Sequence, residues 1–205
     1  MALTDHSQAL RMTGGLDAAK LARQWQELDE LLDEREGITL LRGLEVDILS
    51  DGRLDLEEAW LERLDIVIAS VHSRFDLDQA RQTERVVKAV SHPQVNVLAH
   101  PTGRLLGERD PYAIDLDAVF DACSANGVAV EINASPQRLD LSDVHALAAH
   151  HKGLTVVINT DAHSTRHLEF MRFGVEQARR AWLSADAVLN TRPLEQVRRF
   201  LAKEG

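Results

Sequence analysis

Five polar residues recur along the chain at nearly one interval. Glu45, His72, His100, Glu131 and Asp161 are separated by 27, 28, 31 and 30 residues, with Asn133 and His163 beside the last two. Imidazole nitrogen and carboxylate oxygen are ligands for zinc, manganese or iron. Two or three such ions activate water and stabilise charge on a phosphoryl oxygen. The single cysteine, Cys123, lies outside the pattern, which excludes a thiolate zinc site. Singly, each residue has a plainer role: a histidine after a strand caps or hydrogen-bonds, Glu45 is a solvated edge charge, and Asp161 is the N-cap of a short turn. Five of them at one interval favour a metal site.

The interval is about one βα unit, and the residues fall at strand ends. Short apolar runs at Leu40 to Leu49, Ile66 to Val71, Val95 to Ala99, Val128 to Ile132 and Thr155 to Asn159 predict strands. They are apolar on both faces, as buried parallel strands are. Between them, Leu21, Trp25, Leu28 and Leu32 form an amphipathic stripe on a long first helix. Further helices are predicted at Leu56 to Leu64, Gln79 to Val90, Leu116 to Ser124 and Val144 to His151, and around Glu169 to Leu183 and Pro193 to Ala202. Gly127 and Gly153 stand where C-terminal caps belong. This alternation predicts an α/β fold, either an open doubly wound sheet or a closed barrel. In a barrel, the C-terminal strand ends converge on one face.

The chain has 205 residues, 44% hydrophobic and 27% charged, with a formal net charge of −10. That length suits one domain over residues 1–205. No apolar run reaches the roughly 18–20 residues that cross a bilayer. The opening MALTDHSQAL lacks the basic start and apolar core of a signal peptide, and one cysteine fits a reducing compartment. A cytoplasmic protein without a membrane partner is expected. The acidic balance and nine aromatic residues argue against broad, salt-driven nucleic-acid binding, although bound cations supply positive charge locally. His92, His145, His150, His151 and His167 are expected at the surface, Cys123 in the core, and the acidic run Glu27 to Glu36 on a solvated helix face.

These residues sit in motifs that resemble the PHP (polymerase and histidinol phosphatase) domain. The motifs are Thr4-Asp5-His6-Ser7, Gly43-Leu44-Glu45, Ser70-Val71-His72, Ala99-His100-Pro101, Glu131-Ile132-Asn133 and Asp161-Ala162-His163-Ser164, and together they cover essentially the whole chain. The narrower likeness is to the C-terminal PHP domain of bacterial family X DNA polymerases. It is carried by Asp5 to Leu10, Glu131 to Pro136 and Val188 to Leu194. The resemblance implies a distorted (β/α)7 barrel with up to three divalent metal ions. It implies that His6 and His163 share one ion, that Glu45 bridges two, that His72 and His100 complete the second, and that Asp161 holds the ion on the other side of Glu45. Glu45, Asp161 and His163 are thereby the expected catalytic residues. Arg74, Arg104 and Arg138 follow three of the motifs and face either phosphate oxygens or solvent. Asn133 contacts substrate or holds a ligand.

One departure stands out. PHP domains begin with a strand carrying His-x-His, whereas Met1-Ala2-Leu3-Thr4 matches the end of their second strand. The expected domain is therefore N-terminally truncated, without its first strand and helix. By this mapping the Glu45/His72/His100 site is complete, the His6/His163 site lacks one ligand and the Asp161 site lacks two. Two open sheet edges are expected as well. The implied activity is a 3′-to-5′ exonuclease or phosphodiesterase acting through metal-activated water, with DNA 3′ ends as substrate and a polymerase domain as partner in the intact protein. The alternatives are a histidinol-phosphatase-like monoesterase acting on a small phosphate ester and a non-catalytic structural barrel.

Overall fold

The computed structural model describes residues 1–10, 14–33 and 37–204, leaving aside the side chains at 32 and 33. The side chain of Leu32, the last of the predicted stripe, and the end of the acidic run at 34–36 thus lie outside the described residues. Six strands run parallel in chain order: β1 (Ala2–His6), β2 (Leu41–Asp47), β3 (Ile66–Ser70), β4 (Val97–Leu98), β5 (Ala129–Asn133) and β6 (Val156–Asn159). The helices are α1 (Ala18–Asp33), α2 (Glu58–Leu61), α3 (Gln79–Val90), α4 (Leu116–Ala125), α5 (Asp143–His151), α6 (Met171–Arg180) and α7 (Leu194–Leu201). The result is a curled, parallel half-barrel among the described residues.

In β2 to β6 both strand faces are largely buried, and the period of two divides their duties. Leu44, Val46, Val67, Ala69, Val130, Ile132, Val156 and Ile158 join the core shared with Leu21, Trp25, Val86, Phe120, Cys123 and Ala146 of the outer helices. The alternate residues Leu41, Ile66, Ile68, Val97, Ala129 and Val157 form a second cluster, closed by Leu201, Val197 and Phe200 of α7. Each such side chain, fully buried, contributes about 1.5–3 kcal/mol. Asn96 ties α7 to this floor: its carbonyl accepts the Val67 N–H at 2.8 Å, and its amide donates to Leu201 O at 2.7 Å. Further along the same strand face stand Glu45 and Glu131, in register with Ile68 and Val157.

Local signals explain the helix starts. Asp78, Asp115 and Ser142 accept backbone N–H groups at the starts of α3, α4 and α5, worth about 1 kcal/mol each. Gly43 lies two residues before Glu45 on its strand. A Cβ there would meet Thr4 Cγ2 at 2.6 Å and Ile66 Cγ2 at 2.8 Å, so only glycine lets β1, β2 and β3 close up. Gly174 does the same for α6, since a Cβ would lie 2.4 Å from Ile158 Cγ2.

Several predicted elements change. The helix expected at Leu56 to Leu64 shortens to α2, because Arg63 and Leu64 bond three residues back, to Trp60 and Leu61, and wind the chain out of the helix. The helix expected around Glu169 to Leu183 begins earlier, as a 3₁₀ segment at Thr165–Phe170, and stops at Arg180. One of the two expected open edges is covered. Asn190 accepts the Ile158 N–H at 2.7 Å and donates to Ile158 O at 2.9 Å, in the manner of a neighbouring strand, while Val188 bridges Val156. β1 pairs only with β2 among the described residues.

Candidate metal centre

The ends of β1, β3 and β4 bring three imidazoles onto one carboxylate of β2. Glu45, 8% exposed, projects from β2. His6, the last residue of β1, places Nδ1 3.2 Å from Glu45 Oε2. On the other oxygen, His72 Nε2 lies 3.4 Å and His100 Nε2 2.9 Å from Oε1. The imidazole centroids of His6 and His72, and of His72 and His100, are each 5.1 Å apart. The carboxylate is thus approached from two sides by nitrogens of three other strand ends. Burial alone would raise the Glu45 carboxyl. The His100 hydrogen bond and the three imidazoles outweigh it and hold the group below the usual carboxylate range. Burial lowers His6, against the pull of Glu45, and so favours the neutral ring with a free lone pair.

His72 is held through its other nitrogen. Nδ1 lies 3.1 Å from the buried Asp47 carboxylate and 3.2 Å from Ser70 Oγ. A proton on Nδ1, donated to Asp47, leaves the Nε2 lone pair on the Glu45 side, which is the tautomer that a metal ligand adopts. In that tautomer a cation between Nε2 and Oε1 would be held by both. His6 Nδ1 adds to this, because it approaches Oε2 without the alignment of a hydrogen bond and is buried without a partner. His6, Glu45 and His72 each offer a ligand atom, all within 4.8 Å of one another. The donor set fits a divalent cation.

Asp47 was not among the candidates read from the sequence. It stands two residues after Glu45 on β2, is 3% exposed, and its backbone N–H donates to the buried Ser7 Oγ at 2.9 Å. The alternation Glu45-Val46-Asp47 placed it on the same strand face, and that was the available signal.

The ends of β5 and β6 are built differently. Glu131 shares the ligand-like interval but does not join the group around Glu45. Its Oε2 accepts the His100 backbone N–H at 2.7 Å and the Asn133 amide at 3.2 Å, and its Oε1 accepts the Asn159 amide at 2.8 Å. Its role is to hold the His100 backbone, whose φ is +27°. Burial and the nearby Asp161 carboxylate, partly offset by Asn159, push Glu131 up to about 8.

Asp161, with φ +51°, receives the Asn133 amide at 3.1 Å and Arg138 Nε at 3.3 Å. His163 is 57% exposed; its Nδ1 lies 2.9 Å from Asp161 O, and its ring centroid is 5.8 Å from that of His6. Asn133 is fully engaged, with its Oδ1 accepting the Ser135 N–H at 3.0 Å. Arg74 is exposed and paired with Asp76 at 3.3 Å. Arg104 is turned to the chain, donating to Arg138 O at 2.9 Å and to Leu139 O. Of the histidines expected at the surface, His151 is exposed, whereas His145, His150 and His167 are half-buried and His92 pairs with Glu58 at 2.9 Å. Cys123 is buried, as expected.

No protein-family model matches the chain. Among proteins of known sequence, it is 44% identical over 203 residues to the DNA polymerase/3′-5′ exonuclease PolX of Bacillus subtilis (strain 168), covering 99% of this chain and 36% of that protein. It is 30% identical over 201 residues to a probable phosphatase of Thermoanaerobacter sp. (strain X514), covering 92% of this chain and 76% of that protein. The chain belongs to this phosphatase family. A further member, a probable phosphatase of Shewanella sp. (strain MR-4), is 30% identical over 179 residues, covering 83% of this chain and 68% of its own length. The phosphatases match the chain over most of their own length, whereas it spans about a third of the polymerase. No helix among the described residues is long and apolar enough to cross a membrane.

Proposed function

We propose that the chain is a metal-dependent phosphoesterase module of PHP type, serving as the 3′-5′ exonuclease part of a family X DNA polymerase. The observation that carries this reading is the convergence of ring nitrogens of His6, His72 and His100 on the Glu45 carboxylate. In this reading His6, Glu45, His72 and His100 hold the cation, and His163 and Asp161 serve a neighbouring one. Zinc, manganese and iron all suit this donor set. A bound cation supplies the Lewis acidity that activates water and neutralises charge on a phosphoryl oxygen.

The chain's own groups supply the rest. Asp47 and Ser70 fix the His72 tautomer, and Glu131 fixes the backbone of His100. Arg138, held at Asp161, offers a guanidinium to phosphate oxygens once substrate competes for it. DNA ends and a polymerase domain are the partners that the PolX likeness suggests.

The test is hydrolysis by the manganese-loaded chain of a 3′-ended oligonucleotide and of histidinol phosphate. Release of nucleotides from the oligonucleotide is expected. Preference for the monoester would replace the exonuclease with a small-molecule phosphatase, the reading that the phosphatase relatives favour.

A further inference from the structure

His72 and His100 approach the same oxygen, Glu45 Oε1, from rings whose outer nitrogens differ. His72 Nδ1 lies 3.1 Å from the buried Asp47 carboxylate. His100 is 2% exposed, and its Nδ1 is buried without a hydrogen-bond partner among the described residues. A buried ring nitrogen left unpaired costs stability, and a metal ligand needs its outer nitrogen held.

Asp140, fully buried in the loop after β5, stands beside it. Its backbone is pinned to that strand: Asn133 N–H donates to Asp140 O at 2.6 Å, and Leu141 N–H donates to Glu131 O at 3.0 Å. Asp140 Oδ2 accepts the Thr102 N–H at 3.0 Å, which turns the carboxylate towards the segment two residues after His100. Asp140 Oδ1 is buried and unpartnered among the described residues. Burial pushes the Asp140 carboxyl up; the His100 ring is the strongest group pulling it back, ahead of Thr102 and Arg104. Arg104 spends its own hydrogen bonds on Arg138 O and Leu139 O, so Oδ1 is left over. Two unpaired buried atoms, a ring nitrogen and a carboxylate oxygen, therefore stand on neighbouring groups. A proton on Nδ1 satisfies both and leaves Nε2 for a cation shared with Glu45.

We propose that Asp140 is a positioning residue of the metal centre: its Oδ1 takes the His100 Nδ1 proton, directly or across one water, as Asp47 takes that of His72. The two imidazoles on Glu45 Oε1 are then each backed by a buried carboxylate, one at the end of β2 and one bridged to the end of β5. The inference deepens the metal-centre reading and rests on it for what Nε2 holds, but the hydrogen bond itself does not depend on a metal.

The experiment is a proton–nitrogen correlation spectrum of the histidine rings, recorded on the full, isotope-labelled chain in EDTA and again with zinc. The His100 signals are assigned by their absence from His100→Gln. In the wild type a proton on His100 Nδ1 is expected in both conditions, and in Asp140→Asn it is expected to leave Nδ1. Asparagine has one acceptor where two are needed: with its oxygen on the Thr102 N–H, its NH2 confronts the ring. Zinc titrations against a chelator give the second readout. Asp140→Asn is expected to weaken zinc affinity by roughly 10- to 100-fold in the wild-type background. In the His100→Gln background the same change is expected to cost less than about threefold, because an effect that passes through the ring is lost with it. A bare Nδ1 in the wild type, an unchanged spectrum in Asp140→Asn, or an equal zinc loss in both backgrounds overturns the assignment. Should Asp140→Asn fail to fold in a thermal melt, the wild-type spectrum decides alone. If the wild type carries the proton on Nδ1 but binds no zinc, the metal-centre reading fails and the Asp140 pairing stands.

Discussion

The two ends of the sheet treat their buried carboxylates in opposite ways. At β1 to β4, Glu45 is ringed by imidazole nitrogens and held below the usual carboxylate range. At β5, Glu131 is equally buried but receives two side-chain amides and a backbone N–H, and is pushed up to about 8. Asp161 receives an amide and the Arg138 guanidinium. Amide, backbone N–H and guanidinium donors surround the carboxylates at the second end, whereas imidazole nitrogens from three strand ends surround one carboxylate at the first. A carboxylate at a strand end is therefore not a metal ligand by position alone; what faces it decides.

The contrast breaks most sharply at Glu45. Glu45→Gln and His100→Ala are each expected to lower ester hydrolysis by more than about 100-fold, beyond the usual cost of losing an outer partner. His150→Ala, on α5, should leave the rate unchanged, and equal rates in all three would erase the distinction. Asp47→Asn comes next. It removes the carboxylate that fixes His72 and is expected to weaken zinc affinity by roughly 10- to 100-fold in a competition titration with a chelator. Asp161→Asn should lower hydrolysis while disturbing the ion at Glu45 less than Asp47→Asn does. A larger loss of that ion would move the centre towards β6.

The smallest effect lies in the core behind β5. Burial pushes the Cys123 thiol up to about 12 from an ordinary 9. A raised thiol contributes stability that is fully present below about pH 9 and is lost as pH climbs through the folded value. The denaturant midpoint of the wild type should therefore fall more between pH 8 and pH 10.5 than that of Cys123→Ala. Identical slopes would show the thiol to be reachable by water.

Much of the centre was legible because a βα unit has a nearly constant length. Glu45, His72 and His100 fall at one end of consecutive strands, and the fold brings them together. The same interval included Glu131, since spacing encodes which strand end a residue occupies but not the hydrogen-bond donors that will face it. Asp47 was visible only as a neighbour of Glu45; its role depends on a ring 25 residues away. Asn190 closes the β6 edge through Ile158, 32 residues distant, with no local signature for that pairing. The short α2 shows the same limit: the apolar pattern suggested nine helical residues, whereas backbone bonds three residues back ended the helix early.

The most direct test is metal content. The full chain is equilibrated with zinc or manganese, freed of excess ion and analysed beside Glu45→Gln, both shown to be folded by thermal melts. At least one ion per wild-type chain, lost in the variant, is the expected result. Less than one ion in the wild type, or the same content in both proteins, would contradict a metal centre at Glu45.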